Sequence, residues 1–313
     1  MQRFKGPEGY RKIYRHIIYC VPTCANPSGK TMSLRRRERL VHLARKYDAL
    51  IISDDVYDFL QWPVTTETTP AARLPLVSPI LPRLTDIDRP LGPTPHDPPG
   101  KHFGHALSNG SFSKLLGPGV RTGWVEACPA LAWGVSQTGS TRSGGPPSQL
   151  AAVMVKEVLG SGELDRHLEN KVRPALQARH SLIMAAIKKE LGALGVHVLD
   201  SAEADRGVYG GYFVWVKLPP NKGVTAEEIA DRALQEENLI IAPGNLFEVR
   251  GDEKAAQFPD SIRLTFSWED VDVIVEGVAR LGTVLKRVYD GSPAGPATAD
   301  GRGRIEMAVN DFK

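Results

Sequence analysis

The run Ala49-Leu50-Ile51-Ile52-Ser53 is almost wholly apolar, the pattern of a strand buried on both faces of a parallel sheet. What precedes it narrows the fold further. His16 to Val21 reads as another short strand, rich in Ile, Tyr and Val. Ser33 is placed as the N-cap of a helix over Leu34 to Tyr47, with Leu40, Leu43, Ala44 and Tyr47 on one face. Strand, helix and strand at this spacing make a βαβ unit. Asp54 and Asp55 then fall at the carboxyl end of the buried strand, where open α/β sheets place their ligands.

The chain of 313 residues is long enough for one large or two medium domains. Its net charge of +3 is small, and Lys and Arg are interleaved with Asp and Glu, so no nucleic-acid footprint is expected. The dense run Arg35-Arg36-Arg37 with Arg39 lies in the helical pattern and reads as a solvated face. Cys20, Cys24 and Cys128 do not make a disulfide framework, and Cys20 and Cys24 lack the second pair that a zinc site needs, so no metal is expected. Met1 to Arg15 is polar and basic with no signal-peptide core. No run of 18 apolar residues exists, so no membrane partner is expected and a cytoplasmic enzyme is the default.

Trp62 to His105 is dense in proline with no clear period, and is expected to be a long irregular insertion. Ala106 to Ser111 resumes a strand. Gln149 to Leu159 and Glu163 to Leu194 read as helices, the second kinked at Pro174 and able to bridge two domains. After Gly195 come short strands at Val196–Leu199, Tyr212–Leu218, Leu239–Ala242 and Ser261–Phe266. Helices follow at Thr225–Glu236, capped by Thr225 with Glu228, and at Glu269–Val288. The expected organisation is a partial large domain over 1–165 with its insertion at 62–105, a small α+β domain over 166–289, and a disordered tail over 290–313.

Chemistry concentrates in Ser111 to Trp124. A strand, a Gly-Pro-Gly turn and a second strand would bring Ser111, Ser113 and Arg121 together, a donor set suited to a phosphate dianion, with Lys114 beside it. A free lysine with a pKa near 10.4 is a poor nucleophile, and a neighbouring cation with desolvation lowers it. A phosphate anchor beside a reactive amine is what pyridoxal phosphate (PLP) requires. Taken alone, Lys114 reads equally as a solvated loop lysine. Asp54-x-x-Tyr57 can lean a carboxylate toward a pyridine nitrogen and a hydroxyl toward a ring oxygen, or be an N-cap with a core tyrosine. Asp55 is expected to point elsewhere, as a cap or a solvated group. Asn26 in Asn-Pro-Ser-Gly offers an amide or simply a turn. Arg263 in Ile262-Arg263-Leu264-Thr265-Phe266 offers a fork for a carboxylate, or is a surface strand arginine.

In combination these stretches resemble the class I/II aminotransferase family, fold type I of the PLP enzymes, and more narrowly its 2-aminoadipate/kynurenine branch. The resemblance runs from residue 16 to about 288. It implies an α/β fold with a doubly wound, mostly parallel sheet and a smaller C-terminal α+β domain. It implies PLP as cofactor, an amino acid and a 2-oxo acid as substrates, and a homodimer. Residue by residue, it implies that Lys114 forms the internal aldimine and moves the proton, and that Asp54 faces the pyridinium. It gives Asn26 and Tyr57 the ring oxygen, Ser111, Ser113 and Arg121 the phosphate, and Arg263 the substrate carboxylate. The Asn26–Pro27 bond is expected to be cis on the same ground.

The family's segment ahead of the His16 strand, with its Gly-rich phosphate-binding helix start, has no counterpart in residues 1–15. The expectation is therefore an N-terminally truncated aminotransferase whose large-domain sheet lacks several strands and exposes an edge. Two alternatives to transamination stand: a catalytically impaired or inactive fragment, and a lyase-type fold type I PLP enzyme.

Overall fold

In the computed structural model, which describes residues 12–63, 81–142, 148–199, 208–220, 223–252 and 254–293, the βαβ unit is formed as its sequence pattern requires. Strand β1 (His16–Cys20), helix α1 (Leu34–Tyr47) and strand β2 (Ala49–Asp54) follow in order, and β1 pairs parallel with β2 from His16↔Ala49 to Cys20↔Ser53. Next come β3 (Gln61–Pro63), α2 (Leu84–Asp88), β4 (Ala106–Ser111) and β5 (Gly123–Ala127). Strand β4 pairs parallel with β2, and β5 pairs antiparallel with β4, so the sheet order is β1-β2-β4-β5 with β1 at an edge.

Side-chain alternation gives this sheet two different faces. Ala49, Ile51 and Ala106 pack with Val41 and Ala44 of α1 and Leu84 of α2. Leu50, Leu107 and Ala127 point the other way, toward Leu131 and Ala132 of helix α3 (Pro129–Ser136). Asp54, Asn109 and Ser111 continue the second face, while Ser53, Asp55 and Ser108 continue the first.

Two expectations are corrected on the first face. Helix α1 buries Arg37, Val41 and Ala44, whereas Leu43 and Tyr47 are about half exposed. Arg37 is therefore no part of a solvated basic face, although Arg35, Arg36 and Arg39 are exposed. At 1% exposure its guanidinium donates to Pro22 O, Thr23 Oγ1, Met32 O and Pro82 O at 2.8–3.1 Å. Nor is Asp55 a solvated cap. It is buried and accepts hydrogen bonds from Ser53 Oγ (2.7 Å) and Ser108 Oγ (2.6 Å).

Asp58 is buried beside Asp55, with Arg83 Nε at 2.7 Å. Burial first, and then the Asp55 carboxylate, push Asp58 up to about 6 against the pull of Arg83. A raised carboxyl pKa means that the folded chain holds a proton the unfolded chain has released. Its contribution to stability is thus greatest at low pH and is lost as pH rises from about 4 to about 6. Relative to Asp58→Asn, the wild type should lose about 3 kcal/mol across that window and nothing further above it. Urea denaturation of both chains at half-unit pH steps reads this difference, and a constant difference would contradict it.

Within the proline-rich stretch, the described part is not wholly irregular. Leu84–Asp88 is helical, because Leu84 is drawn into the first core while Asp86 Oδ2 accepts from the Arg83 backbone N–H at 2.9 Å. Further along are α4 (Gly139–Arg142), α5 (Gln149–Gly160) and α6 (Glu163–His167). A π-helical turn at Leu168–Val172 leads into α7 (Arg173–Glu190), so the break expected at Pro174 falls one turn earlier.

The chain divides into two compact units. The first holds the described residues within Met1–Ala25, Lys30–Pro174 and Ala202–Gly211, and the second those within Asn26–Gly29, Ala175–Ser201 and Tyr212–Lys313. In the second unit, β6 (His197–Val198), β8 (Phe213–Lys217), β9 (Ala242–Pro243) and β10 (Ser261–Thr265) form an antiparallel sheet in the order β6-β8-β10-β9. A short strand β7 (Val208–Gly210) belongs instead to the first unit and pairs with β3. Helices α8 (Ala226–Glu237) and α9 (Val271–Tyr289) pack together in the second unit, and the expected Thr225–Glu228 capping box is present. Most of the tail expected beyond residue 290 lies outside the described residues.

Candidate active site

Strands β4 and β5 form a hairpin whose connection carries the chemistry. Gly110 is needed there for close approach, since a Cβ at this position would meet the Trp124 indole at 2.1 Å. Trp124 in turn packs on Phe112, with ring centroids 4.8 Å apart. Phe112 and Leu115 are buried, and the Phe112 carbonyl accepts from the N–H groups of Leu115, Leu116 and Gly117. These anchors fix the turn and leave Ser111, Ser113 and Lys114 half-buried along it. Ser113 N–H donates to Ser111 Oγ at 3.1 Å, so the two serines are brought together.

Arg121 closes the same turn in the left-handed region with φ 44°. Its Nη1 donates to Pro118 O at 3.1 Å on the exposed side, which uses one of five guanidinium donors.

Asp54 ends β2 on the same sheet face as Ser111. Asp54 is the register partner of Asn109, two residues before Ser111. One strand spacing and two residue rises separate the two backbone positions by about 8 Å, the span of a small ring carrying a phosphate arm. Both carboxylate oxygens of Asp54 accept hydrogen bonds, Oδ2 from Tyr19 Oη at 2.8 Å and Oδ1 from Asn109 Nδ2 at 2.9 Å. Tyr57 follows in the turn after β2 and is buried. Its ring lies close to Gly211, where a Cβ would come within 3.9 Å of Cδ1.

The remaining two expected residues belong to the second unit and meet there. Arg263 Nη1 donates to Asn26 Oδ1 at 2.8 Å. The Asn26–Pro27 bond is cis. The Arg263 guanidinium also stands over two rings, Phe213 at 4.2 Å and Phe247 at 4.8 Å from their centroids. Stacking of this kind fixes the plane of a guanidinium and keeps its edge available for a carboxylate.

Sequence reasoning missed Tyr19, Asn109, Phe213 and Phe247. The signal for the first two was the alternation of Tyr19 with Ile17 and of Asn109 with Leu107, which turns both side chains toward the Asp54 face.

The donor chemistry fits PLP: a carboxylate for a ring N–H, two hydroxyls and a guanidinium on the β4–β5 connection for a phosphate, and an amine on the same connection. Among the described residues, no group of acidic, His and Cys side chains could hold a metal ion, and no helix is long and apolar enough to cross a membrane.

A family model for aminotransferase class I and II matches residues 8–278. An uncharacterized protein of Saccharomyces cerevisiae is 41% identical over 286 residues, covering 91% of this chain and 59% of its own length. The 2-aminoadipate transaminase of Thermus thermophilus is 30% identical over 270 residues, covering 86% of this chain and 57% of its own. Among solved structures, the α-aminoadipate aminotransferase LysN from Thermus thermophilus, complexed with N-(5'-phosphopyridoxyl)-L-leucine, superposes with a TM-score of 0.66 at 28% identity. That match covers 88% of this chain and 59% of LysN. The multiple substrate aminotransferase of Thermococcus profundus gives 0.65 at 27% identity, covering 89% and 58%. The chain thus spans well under two thirds of the length of the relatives it matches.

Proposed function

The chain belongs to the class I and II aminotransferase family, with the fold type I architecture of its neighbours, and from that premise we propose that it binds PLP and moves an amino group between an amino acid and a 2-oxo acid. The observation that carries this reading is the β4–β5 turn, where Lys114 stands next to the hydrogen-bonded pair Ser111 and Ser113, directly after the strand that pairs with β2 at Asp54. The aminotransferase relatives favour transfer over lyase chemistry.

PLP, when bound, supplies a pyridinium ring that withdraws electrons from the Cα of an attached amino acid. The residues of this chain do the rest. The Asp54 carboxylate accepts from the ring N–H and so favours the protonated ring. Ser111, Ser113 and Arg121 donate to the phosphate, which fixes the ring's position. Tyr57 Oη and the Asn26 amide donate to the ring oxygen. Arg263 forks the substrate α-carboxylate in the plane set by Phe213 and Phe247. With PLP bound, Lys114 Nζ would take the proton from the substrate Cα and return it at C4′ of the cofactor, on the far side of the amino nitrogen. The proposal extends to a homodimer in the cytoplasm, and to partial large (1–165) and small (166–289) domains.

The test is direct. Incubate the full chain with PLP, reduce with borohydride, digest and map the adduct; a phosphopyridoxyl group on Lys114 is expected. Exchange between 2-oxoglutarate and 2-aminoadipate, tyrosine or kynurenine then reads the transfer. Reduction that leaves no cofactor on Lys114 sinks the assignment.

A further inference from the structure

We propose that Tyr19 and Asn109 are positioning residues for Asp54, clamping its carboxylate in the orientation that receives the cofactor's ring N–H. This rests on the function proposed above and adds two residues to it.

An aspartate carboxylate rotates freely about its last torsion, which is broad and roughly two-fold. At Asp54 that rotation is blocked from both sides. Tyr19 on β1 donates to Oδ2 at 2.8 Å and Asn109 on β4 donates to Oδ1 at 2.9 Å. The two donors come from the strands that flank β2 on either side. All three side chains point to the same sheet face, so one strand's register fixes each partner: Tyr19 is paired with Ile52, two residues before Asp54, and Asn109 with Asp54 itself. Each carboxylate oxygen has two lone pairs, so the clamp leaves one on each for a ring N–H.

The donors suit the task. An amide donates at any working pH. The Tyr19 phenol is pushed up to about 12 by burial and then by its bond to Asp54, so it keeps its proton as well. The Tyr19 side chain is 64% exposed overall, but its hydroxyl end lies against Asp54. Asp55, next in sequence, has no share in this. It sits on the opposite face with Ser53 and Ser108.

The experiment compares the full chain with Tyr19→Phe and Asn109→Ala. Each variant should weaken PLP binding, read by quenching of tryptophan fluorescence, by about tenfold, the share of one charge-assisted hydrogen bond. The 15N shift of labelled PLP should move toward the unprotonated ring value in both, at an unchanged thermal midpoint. In the cofactor-free chain, NMR of labelled tyrosine should show the Tyr19 phenol falling below about 12 in Asp54→Asn, with the part due to burial remaining. Wild-type affinity and ring protonation in both variants overturns the clamp alone, as does a Tyr19 titration indifferent to Asp54→Asn. A wild-type chain that takes up no PLP overturns the function and the clamp together.

Discussion

Lys114→Ala should leave a folded chain from which borohydride reduction recovers no attached cofactor. The turn that carries Lys114 is held by other groups: the buried Phe112 and Leu115 side chains, the Phe112 carbonyl with its three N–H donors, and the Phe112–Trp124 ring contact. Lys114 is only half-buried, so its loss should change stability by no more than about 0.5 kcal/mol. Ser111 and Ser113 remain, so PLP should still bind through its phosphate, reversibly. Amino-group transfer should fall by about 10²–10⁴-fold, the usual share of a positioned acid–base group. Lys114→Arg sharpens the point. It keeps the positive charge near the phosphate, yet a guanidinium does not give up its proton in a protein, so it should be as inactive as alanine. A chain that retains near wild-type transfer with either substitution would place the reactive amine elsewhere.

How much of this was legible in the sequence depends on the range of the interaction that decides each feature. The β1–α1–β2 unit is written locally, in an apolar run, a helical period and a cap, and it formed with the same helix bounds as read. Asp54 was placed by the end of that strand. The buried face of α1 was misread because a hydrophobic period counts arginine as solvent-facing. Arg37 is internal because three carbonyls and one hydroxyl, from Pro22, Met32, Pro82 and Thr23, converge on it. Only Met32 is near Arg37 in sequence, so no local pattern encodes the site. Asp55 was expected to point away from Asp54 as a cap or a solvated group, but it is buried, and its burial depends on Ser108, which is 53 residues away. Tyr19 and Asn109 become partners of Asp54 only once the register of three strands is known. The aromatic support of Arg263 joins β8 to the segment after β9, another pairing that periodicity cannot supply.

Arg37→Met should cost about 3–5 kcal/mol of stability, the range for removing one partner from a buried ionic cluster. Methionine fills a similar volume, so the loss is electrostatic and not a cavity. It has two components. First, the carbonyls of Pro22, Met32 and Pro82 lose a donor; Pro22 O keeps its bond from Met32 N–H at 2.7 Å, but Pro82 O has no such second donor among the described residues. Each acceptor left unpaired in the interior costs about 1–3 kcal/mol. Second, the Asp55 and Asp58 carboxylates lose a nearby cation, and both are already disfavoured in their charged forms by burial. The relief of no longer burying a guanidinium offsets part of this, which keeps the total below the simple sum. Lysine should not restore the wild type, because one ammonium cannot span acceptors fixed by three separate segments. Arg36→Met, on the exposed face of the same helix, is the control and should lie within about 0.5 kcal/mol of wild type. Urea denaturation midpoints of the three variants measure this order, and an Arg37→Met chain as stable as the Arg36→Met control would show that the buried guanidinium does not hold the Pro22–Met32 loop.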